Sequence, residues 1–532
     1  MSSAVLSESA ANSYDAVPYK DYPYSFTHPR HLEAMGTLFG MTPPDITCCR
    51  VLELGCAGGG NLIPQAVDLP GSEFVGIDLS EVQVGHGRGI VNELGLRNIE
   101  LRVENIMQVD ASWGQFDYIL CHGVFSWIPR PVQEKVFDIC RDRLSPQGIA
   151  FISYNTYPGW HLAGVVRDIM KYHADQFDQP AKKIEQAKAI LEFLVKTGGE
   201  EGTRSSLGML FREELNKLRA AGDDSYIFHE HLEDHNEPMY FYQFMERASK
   251  HRLQYLGESD FTAMLVSNLP AEARDTLQSL PLLRQEQYMD FVRGCRFRKT
   301  LLCHDSVQLD RNICGPAIKN FFVALSGEID TAEVDIRTER PARFIMQDKS
   351  QLTVTNRLAK AAMVRLKESF PAYTAFNDLY ATALARATAL RTASLEDGSA
   401  RPDTLADCLL LALTVGMLRI AVHPPRCVVR PCDRPVANAL VRRQSTSAAL
   451  LTNELHEPVN VDRLGRWVLA RLDGRHSRAD LACRFQDALA NGSLALSVGD
   501  EALTSTSSKA ITGLLESTLG SLARQALLRS MD

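Results

Sequence analysis

Between about residue 50 and residue 175 the chain alternates short apolar runs with amphipathic stretches, and no other feature restricts its fold as tightly. The runs are "RVLELG", "EFVGIDLS", "IELRVEN", "FDYILCHG" and "GIAFISYN". Strands this apolar, separated by helix-length segments, form a parallel sheet with crossover helices. The fold class read from this pattern is α/β.

The first of these strands runs into "GCAGGGN", a turn with almost no side chains, and Glu53 stands just before it. A glycine-rich turn between strand and helix lets a ligand approach the backbone closely. Two ligand classes use such a turn. A dinucleotide would take Gly55, Ala57 and Gly60 as the spaced small residues, with Asp78 at the end of the second strand near its ribose. S-adenosylmethionine also carries a ribose, but has an amino acid where a dinucleotide has pyrophosphate. Glu53 separates the two, because a carboxylate beside the turn favours a cationic ligand and repels a pyrophosphate.

Further along, "AKKIEQAKAILEFLVKT" and "LGMLFREELNKLRAAG" show helical spacing and read as a helical insertion. Extended signals return at "HRLQYLGES" and "RFRKTLLCHD", two strands that can complete the sheet. After residue 305 the character changes. "PARFIMQDKSQLTVTNRLAKAAMVRLKE" reads as strand, turn, strand and a helix with Thr355 as N-cap. "RWVLARLDGRHSRADLACRF" reads as two helices around an Asp-Gly turn, the second capped by Ser477 with Asp480 as a capping-box acid. Two small helical, winged-helix-like modules therefore follow the α/β part, with "HPPRCVVRPCDRP" as the linker between them.

Bulk properties narrow the setting. With 532 residues and a formal net charge of −8, the chain is too long for a single core and lacks an overall basic footprint for nucleic acid. Its most apolar stretch, "LLLALTVGMLRIAV", is short and contains Arg419, which suits a buried helix better than a membrane span. The twelve cysteines include no CxxC pair, and Cys48 and Cys49 are adjacent, so a reduced, cytoplasmic protein is expected.

"ELGCAGGGN" followed by "GIDLS" resembles the motifs of class I S-adenosylmethionine-dependent methyltransferases, with Ala57 standing where the middle glycine is usual. The strings "SYDAVPYKDYPYSFTHPRHLEAMGTLFGM", "CHGVFSWIP", "SYNTYPGWH", "FHEHLEDHNEPMYFYQFMERA" and "EQYMDFVRGCRFRKTLLCH" resemble the bacterial members that carry a methyltransferase regulatory domain. That group includes the rickettsial outer-membrane-protein lysine methyltransferases. The resemblance implies a Rossmann-like sheet with a helical insertion. It implies a core with an N-terminal lid over 1–178, the insertion over 179–250, the end of the sheet over 251–305, and winged-helix-like modules over 306–425 and 436–532. It implies S-adenosylmethionine as cofactor, with Glu53, Gly55, Cys56 and Gly59 around its methionine part. Asp78 would then face the ribose, with Leu79, Asn105 and Ile106 beside the adenine.

In a doubly wound sheet the ligand lies at the carboxyl ends of the strands, which directs attention to "CHGVFSWIP" and "SYNTYPGWH". Phe125, Trp127, Tyr157 and Trp160 are candidates to line an acceptor channel, since ring faces attract an alkylammonium. His122 and Asn155 offer polar contacts to cofactor or acceptor. Tyr19, in the tyrosine-rich N-terminal segment, is the candidate lid residue. The histidines of "FHEHLEDHNEP" do not share one geometry, because His229 and His231 align only in a strand and His231 and His235 only in a helix. No metal is therefore expected, and Glu230, Glu233 and Asn236 are read as a lip for a lysine-bearing protein. The competing readings are a small-molecule N- or O-methyltransferase, and a DNA- or protein-binding regulator that retains a methyltransferase domain. "NRLAKAAMVRLKE" supplies the basic residues for the latter, and a homodimer is compatible with either. Every cofactor motif lies before residue 110, so residues 306 to 532 are expected to serve substrate selection or assembly.

Overall fold

The computed structural model describes residues 15, 17–18, 22–198, 205–221, 224–331, 333–389, 400–494, 497–498, 501–502 and 508–530. The chain divides into two units. The first comprises Met1–Tyr22, Cys49–Ile63 and Ser72–Val307, and the second Pro23–Cys48, Pro64–Gly71 and Gln308–Asp532.

The first unit is built on a seven-stranded sheet in the order β3-β2-β1-β4-β5-β7-β6. β1 (Arg50–Leu54), β2 (Glu73–Asp78), β3 (Ile99–Val103), β4 (Phe116–Cys121) and β5 (Leu144–Asn155) are the five apolar runs of the sequence. They pair in parallel. β7 (Phe297–His304) runs antiparallel to both β5 and β6 (Leu253–Glu258), so the two later runs do complete the sheet. The middle strand β1 is buried at four successive positions, which is why it reads as a continuous apolar run without alternation. The helix Glu81–Leu94 starts on Ser80, whose side chain accepts from Gln83 N, and stops at Gly95 with φ 66°.

The expected insertion forms the helices Pro180–Thr197 and Ser206–Ala221. Ile184, Leu191, Leu215 and Leu218 pack there with Val166 and Met170 of the helix Gly159–Ala174 and with Phe228. The segment Phe228–Leu232 then winds as one π-helical turn.

In the second unit the hairpin of β8 (Ala342–Met346) and β9 (Gln351–Val354) precedes the helix Arg357–Ser369. That helix is capped by Asn356, whose side chain accepts from Ala359 N at 2.9 Å, one residue later than the Thr355 expected. Its Lys360 and Arg357 are buried, and Lys360 Nζ donates to the carbonyls of Asp335, Thr338 and Arg340. The apolar run near 409 is the end of the helix Pro402–Thr414 followed by the strand Leu418–Ala421, with Gly416 at φ 78° between them. The C-terminal module carries the helices Ala439–Ser447, Arg463–Leu469, Arg478–Ala490 and Ser508–Arg524 around Val441, Val468, Leu481, Phe485 and Leu519. Its helix Arg478–Ala490 has the Ser477–Asp480 capping box. Within this unit Asp68 pairs with Arg30, His28 and Arg529, and Glu33 with His423.

Candidate functional site

The turn after β1 is held in conformations that favour glycine. Gly55 has φ 75° and Gly59 φ 79°. A Cβ on Gly55 would lie 2.4 Å from Val124 Cγ2, so the turn has no room for a side chain there. Ala57, in place of the usual glycine, also adopts a left-handed φ of 49°. The strain of that conformation is roughly 1–2 kcal/mol for an L-residue. It is offset by a hydrogen bond, since Ala57 N–H donates to Asp78 Oδ2 at 2.9 Å. The other oxygen of Asp78 accepts from Ser80 N at 2.9 Å. Asp78 thus ties the glycine turn to the helix cap. Burial raises its carboxyl above the usual range, against the opposing pull of these backbone donors. Glu53 is buried beneath the turn and accepts from Asn61 Nδ2 at 2.8 Å.

Two glycines outside the motif shape the same turn. A Cβ on Gly76 would meet Cys56 Sγ at 2.7 Å, and one on Gly87 would meet the Gly58 carbonyl oxygen at 2.2 Å. Both allow the second strand and the following helix to press against the turn. A glycine inside a strand or a helix interior signals close approach, which is the trace they leave in the sequence.

Leu79 follows β2 and is 37% exposed, and the 3₁₀ turn Ile106–Gln108 follows β3. Asn105 caps that turn by accepting from Met107 N at 2.9 Å. Leu79, Asn105 and Ile106 therefore stand after the carboxyl ends of neighbouring strands.

After β4 and β5 the structure gathers the polar and aromatic candidates. His122 Nδ1 is 2.9 Å from Ser153 Oγ, and burial pushes its pKa down to about 3, leaving the ring neutral. Asn155 N–H donates to Ser126 Oγ, and Asn155 Nδ2 donates to Asn236 Oδ1 at 3.1 Å. Glu237 N–H reaches the Ser126 carbonyl at 2.7 Å, so the segment after the π turn is laced to both loops. Trp127 and Trp160 meet edge to face at 6.3 Å. Tyr157 stacks on His161 at 3.9 Å and lies 5.3 Å from Tyr240. Phe125 differs from expectation. It is fully buried against Phe137, Tyr154 and Phe244, because this aromatic cluster fills the core beneath the loop.

The three histidines of this stretch do not converge on one point. His229 meets Glu233 Oε1 at 2.9 Å and the Val17 carbonyl at 2.7 Å, and His235 Nε2 reaches the Ile128 carbonyl at 2.9 Å. His231 is buried beside Tyr226. Glu233 is consequently committed to His229 and Asn236 to Asn155. Glu230 is partly buried, and burial pushes its carboxyl up to about 7, against the lowering influence of Arg296. Glu214 and Arg296, which sequence reasoning passed over, pair at 3.1 Å next to this turn, and nothing in their local sequence marks them. Tyr19 lies outside the described residues. Its neighbours Asp15 and Val17 contact Ser80 Oγ and His229, respectively.

Three family models match the chain: the methyltransferase domain over 51–148, the predicted methyltransferase regulatory domain over 223–304, and the PKMT C-terminal winged helix domain over 433–527. An uncharacterized protein of Rickettsia prowazekii (strain Madrid E) is 37% identical over 495 residues, covering 91% of this chain and 88% of that one. The solved structure of PKMT2 from Rickettsia typhi in complex with AdoHcy is 29% identical, with a TM-score of 0.84. That match covers 96% of this chain and 100% of PKMT2. An uncharacterized protein of Synechocystis is 23% identical over 298 residues, 54% of this chain and 58% of that one.

Proposed function

The chain belongs to the class I S-adenosylmethionine-dependent methyltransferases that carry a methyltransferase regulatory domain, and on that footing we propose that it methylates lysine amines of a protein substrate. S-adenosylmethionine is its cofactor. The residues at the turn fit that group. Gly55 and Gly59 give the turn the left-handed backbone that lets it pack closely on Val124, Leu101 and Ile63, and Asp78 and Glu53 bring carboxylates to a ligand that carries positive charge. We assign Glu53, Gly55, Cys56 and Gly59 to its amino-acid half, Asp78 to its ribose, and Leu79, Asn105, Ile106 and His122 to the remainder. When bound, it supplies a sulfonium methyl whose bonding electrons stay on sulfur as the methyl leaves.

The acceptor amine falls to the residues after β4 and β5, and the observation that carries this reading is that the loops there bring Trp127 edge to face with Trp160 and tie Asn155 to Asn236 by a hydrogen bond. Methyl transfer needs an aligned lone pair, so positioning supplies much of the rate. A free lysine has a pKa of about 10.4, and roughly one in 1,000 is neutral at pH 7.4, equivalent to about 4 kcal/mol. Desolvation of the amine on entering the site disfavours the ammonium and reduces that cost. Tyr19, Glu230, Glu233 and Asn236 are assigned to the substrate side.

The size of the chain supports a macromolecular acceptor over a small one. The DNA-binding alternative is weakened because, of Arg357, Lys360, Arg365 and Lys367, the first two are buried, Lys360 on backbone carbonyls. We place the reaction in the cytoplasm. Consistent with that, all twelve cysteines are free, and no helix among the described residues is long and apolar enough to cross a membrane. Incubating the purified protein and isotope-labelled S-adenosylmethionine with a cell lysate, then locating the label by mass spectrometry, tests the assignment. Label on lysine Nζ is expected. Label on a carboxylate, hydroxyl or small metabolite removes the lysine assignment and leaves the methyltransferase intact.

A further inference from the structure

The middle and C-terminal modules of the second unit flank a cleft of about 600 Å³, within the roughly 300–1,000 Å³ typical of small-ligand sites. Its lining shares no residue with the glycine turn or with the loops after β4 and β5. Leu325, Ile329, Phe370, Val429 and Pro431 give it an apolar wall. The linker between the modules therefore forms one side of the cleft, and Arg478 fastens it there. The Arg478 guanidinium donates to the carbonyls of Pro431 and Cys432 and, at 3.0 Å, to Glu516 Oε2.

The charges along the cleft do not cancel. Glu516 pairs with Arg478, Glu328 lies 3.7 Å from Arg524, and Glu368 is forked by Arg386 from outside the lining. Lys367 and Arg430 are left over, and neither has an ion pair among the described residues. Two uncompensated cations beside an apolar wall suit an anion carried on an apolar body. A glycine marks where that body fits. Glu516, Gly520 and Arg524 are spaced four apart on the helix Ser508–Arg524 and share one face of it. Glycine in a helix interior is costly relative to alanine. Packing does not call for it here, because a Cβ on Gly520 would meet only Arg524 Nη1, at an ordinary 3.8 Å. Its effect is to leave a notch in the wall of the cleft.

We propose that this cleft binds an organic anion with an apolar body, seated over Gly520, with its carboxylate or phosphate on Lys367 and Arg430. The site is separate from methyl transfer and stands whether or not the acceptor is a lysine. No bond is made or broken in it. An occupant touches the middle module, the linker and the C-terminal module at once, so its binding favours the packed state of all three and stabilises it by mass action.

The test titrates the full-length protein with anilinonaphthalene sulfonate, an anion on an aromatic body that fluoresces on leaving water, with S-adenosylhomocysteine added to fill the cofactor turn. The wild type should bind the probe. Gly520→Phe should lose that binding, because its ring fills the notch. Gly513→Phe is the control on the same helix, since a Cβ there meets nothing within 4 Å and the residue is not part of the cleft, and it should bind like the wild type. Lys367→Gln and Arg430→Gln should each weaken binding roughly fivefold, the upper range for one exposed charge pair. Circular dichroism and calorimetric affinity for S-adenosylmethionine should be unchanged in all of these variants, which separates loss of the site from a folding defect. Displacement of the probe by decanoate or by decyl phosphate, but not by decanol, then assigns the charge to a carboxylate or a phosphate. Equal binding by wild type and Gly520→Phe, equal loss in Gly513→Phe, or insensitivity to both cation changes overturns the proposal. Displacement by neither anion, or by decanol as effectively as by the anions, overturns it as well.

Discussion

Gly87 offers a sharp test of how the glycine turn is kept in shape. It lies inside the helix Glu81–Leu94, where replacing glycine by alanine ordinarily gains up to about 1 kcal/mol. At this position the new Cβ would stand 2.2 Å from the Gly58 carbonyl oxygen, whereas contacts under 3.0 Å are essentially never found. Helix and turn must therefore separate by about 0.8 Å. Overpacking of this kind costs about 1–3 kcal/mol, which exceeds the helix gain and leaves Gly87→Ala destabilised by up to about 2 kcal/mol. The same helix contains its own controls, because a Cβ on Gly85 or Gly89 meets nothing within 4 Å. Gly85→Ala and Gly89→Ala should each be stabilised by roughly 0.5–1 kcal/mol in urea unfolding. Since the displaced atom belongs to the turn itself, Gly87→Ala should also bind S-adenosylmethionine roughly tenfold more weakly by calorimetry, a modest share of what a 1 Å misplacement can cost. If Gly87→Ala tracks the two controls in stability and affinity, the helix does not set the turn and the reasoning fails.

Removing the Asp78 carboxylate strips the acceptor from Ala57 N–H and Ser80 N–H and from the proposed ribose contact, so Asp78→Ala should weaken S-adenosylmethionine binding roughly 10- to 150-fold. Unchanged calorimetric affinity would take Asp78 out of the site. His231 is neutral when folded, with its pKa lowered to about 4, while unfolded histidine titrates at about 6.5. The unfolded state then binds more protons in that window, and stability should fall by up to about 3 kcal/mol as the pH drops from about 6.5 to 4. Urea unfolding of His231→Gln should show a flatter pH dependence, and superimposable curves would exclude this cause. A chain ending at residue 305 loses Arg529 and His423, the partners of Asp68 and Glu33, so its melting temperature should drop sharply. Retained stability and cofactor affinity in that fragment would show those pairs to be dispensable.

The parallel sheet was legible because strands buried on both faces leave an apolar signature that no loop imitates, as "RVLELG" does for β1. Local chemistry was equally readable at Ser477, whose capping box depends only on residues three apart. Elsewhere the deciding contact lies far along the chain. Phe125 and Trp127 are two residues apart and both aromatic, yet Phe125 is fully buried because Phe244, more than a hundred residues later, closes the core over it. Lys360 reads as a surface cation until the carbonyls of Asp335 and Arg340 are seen to converge on its ammonium. Likewise, "LLLALTV" and "GMLRIAV" look like one apolar run, and the left-handed Gly416 is what separates a helix from a strand.

The π turn shows why the charged cluster could not be read from its own residues. Histidines two and four apart invite a strand or a helix, but the π turn that holds His229 and His231 fits neither period, and His229 and His235 end on different partners. What then decides the chemistry of Glu230 is the company it keeps: Glu214 from the insertion, Arg296 from the approach to β7, and Arg167 from the helix that begins at Trp160. Two carboxylates facing two guanidiniums would ordinarily pair off and fall silent. Here Arg296 is forked onto Glu214, and Arg167 donates to the Glu233 carbonyl, a neutral acceptor. Burial therefore acts on Glu230 with only partial compensation, which raises its carboxyl to about 7.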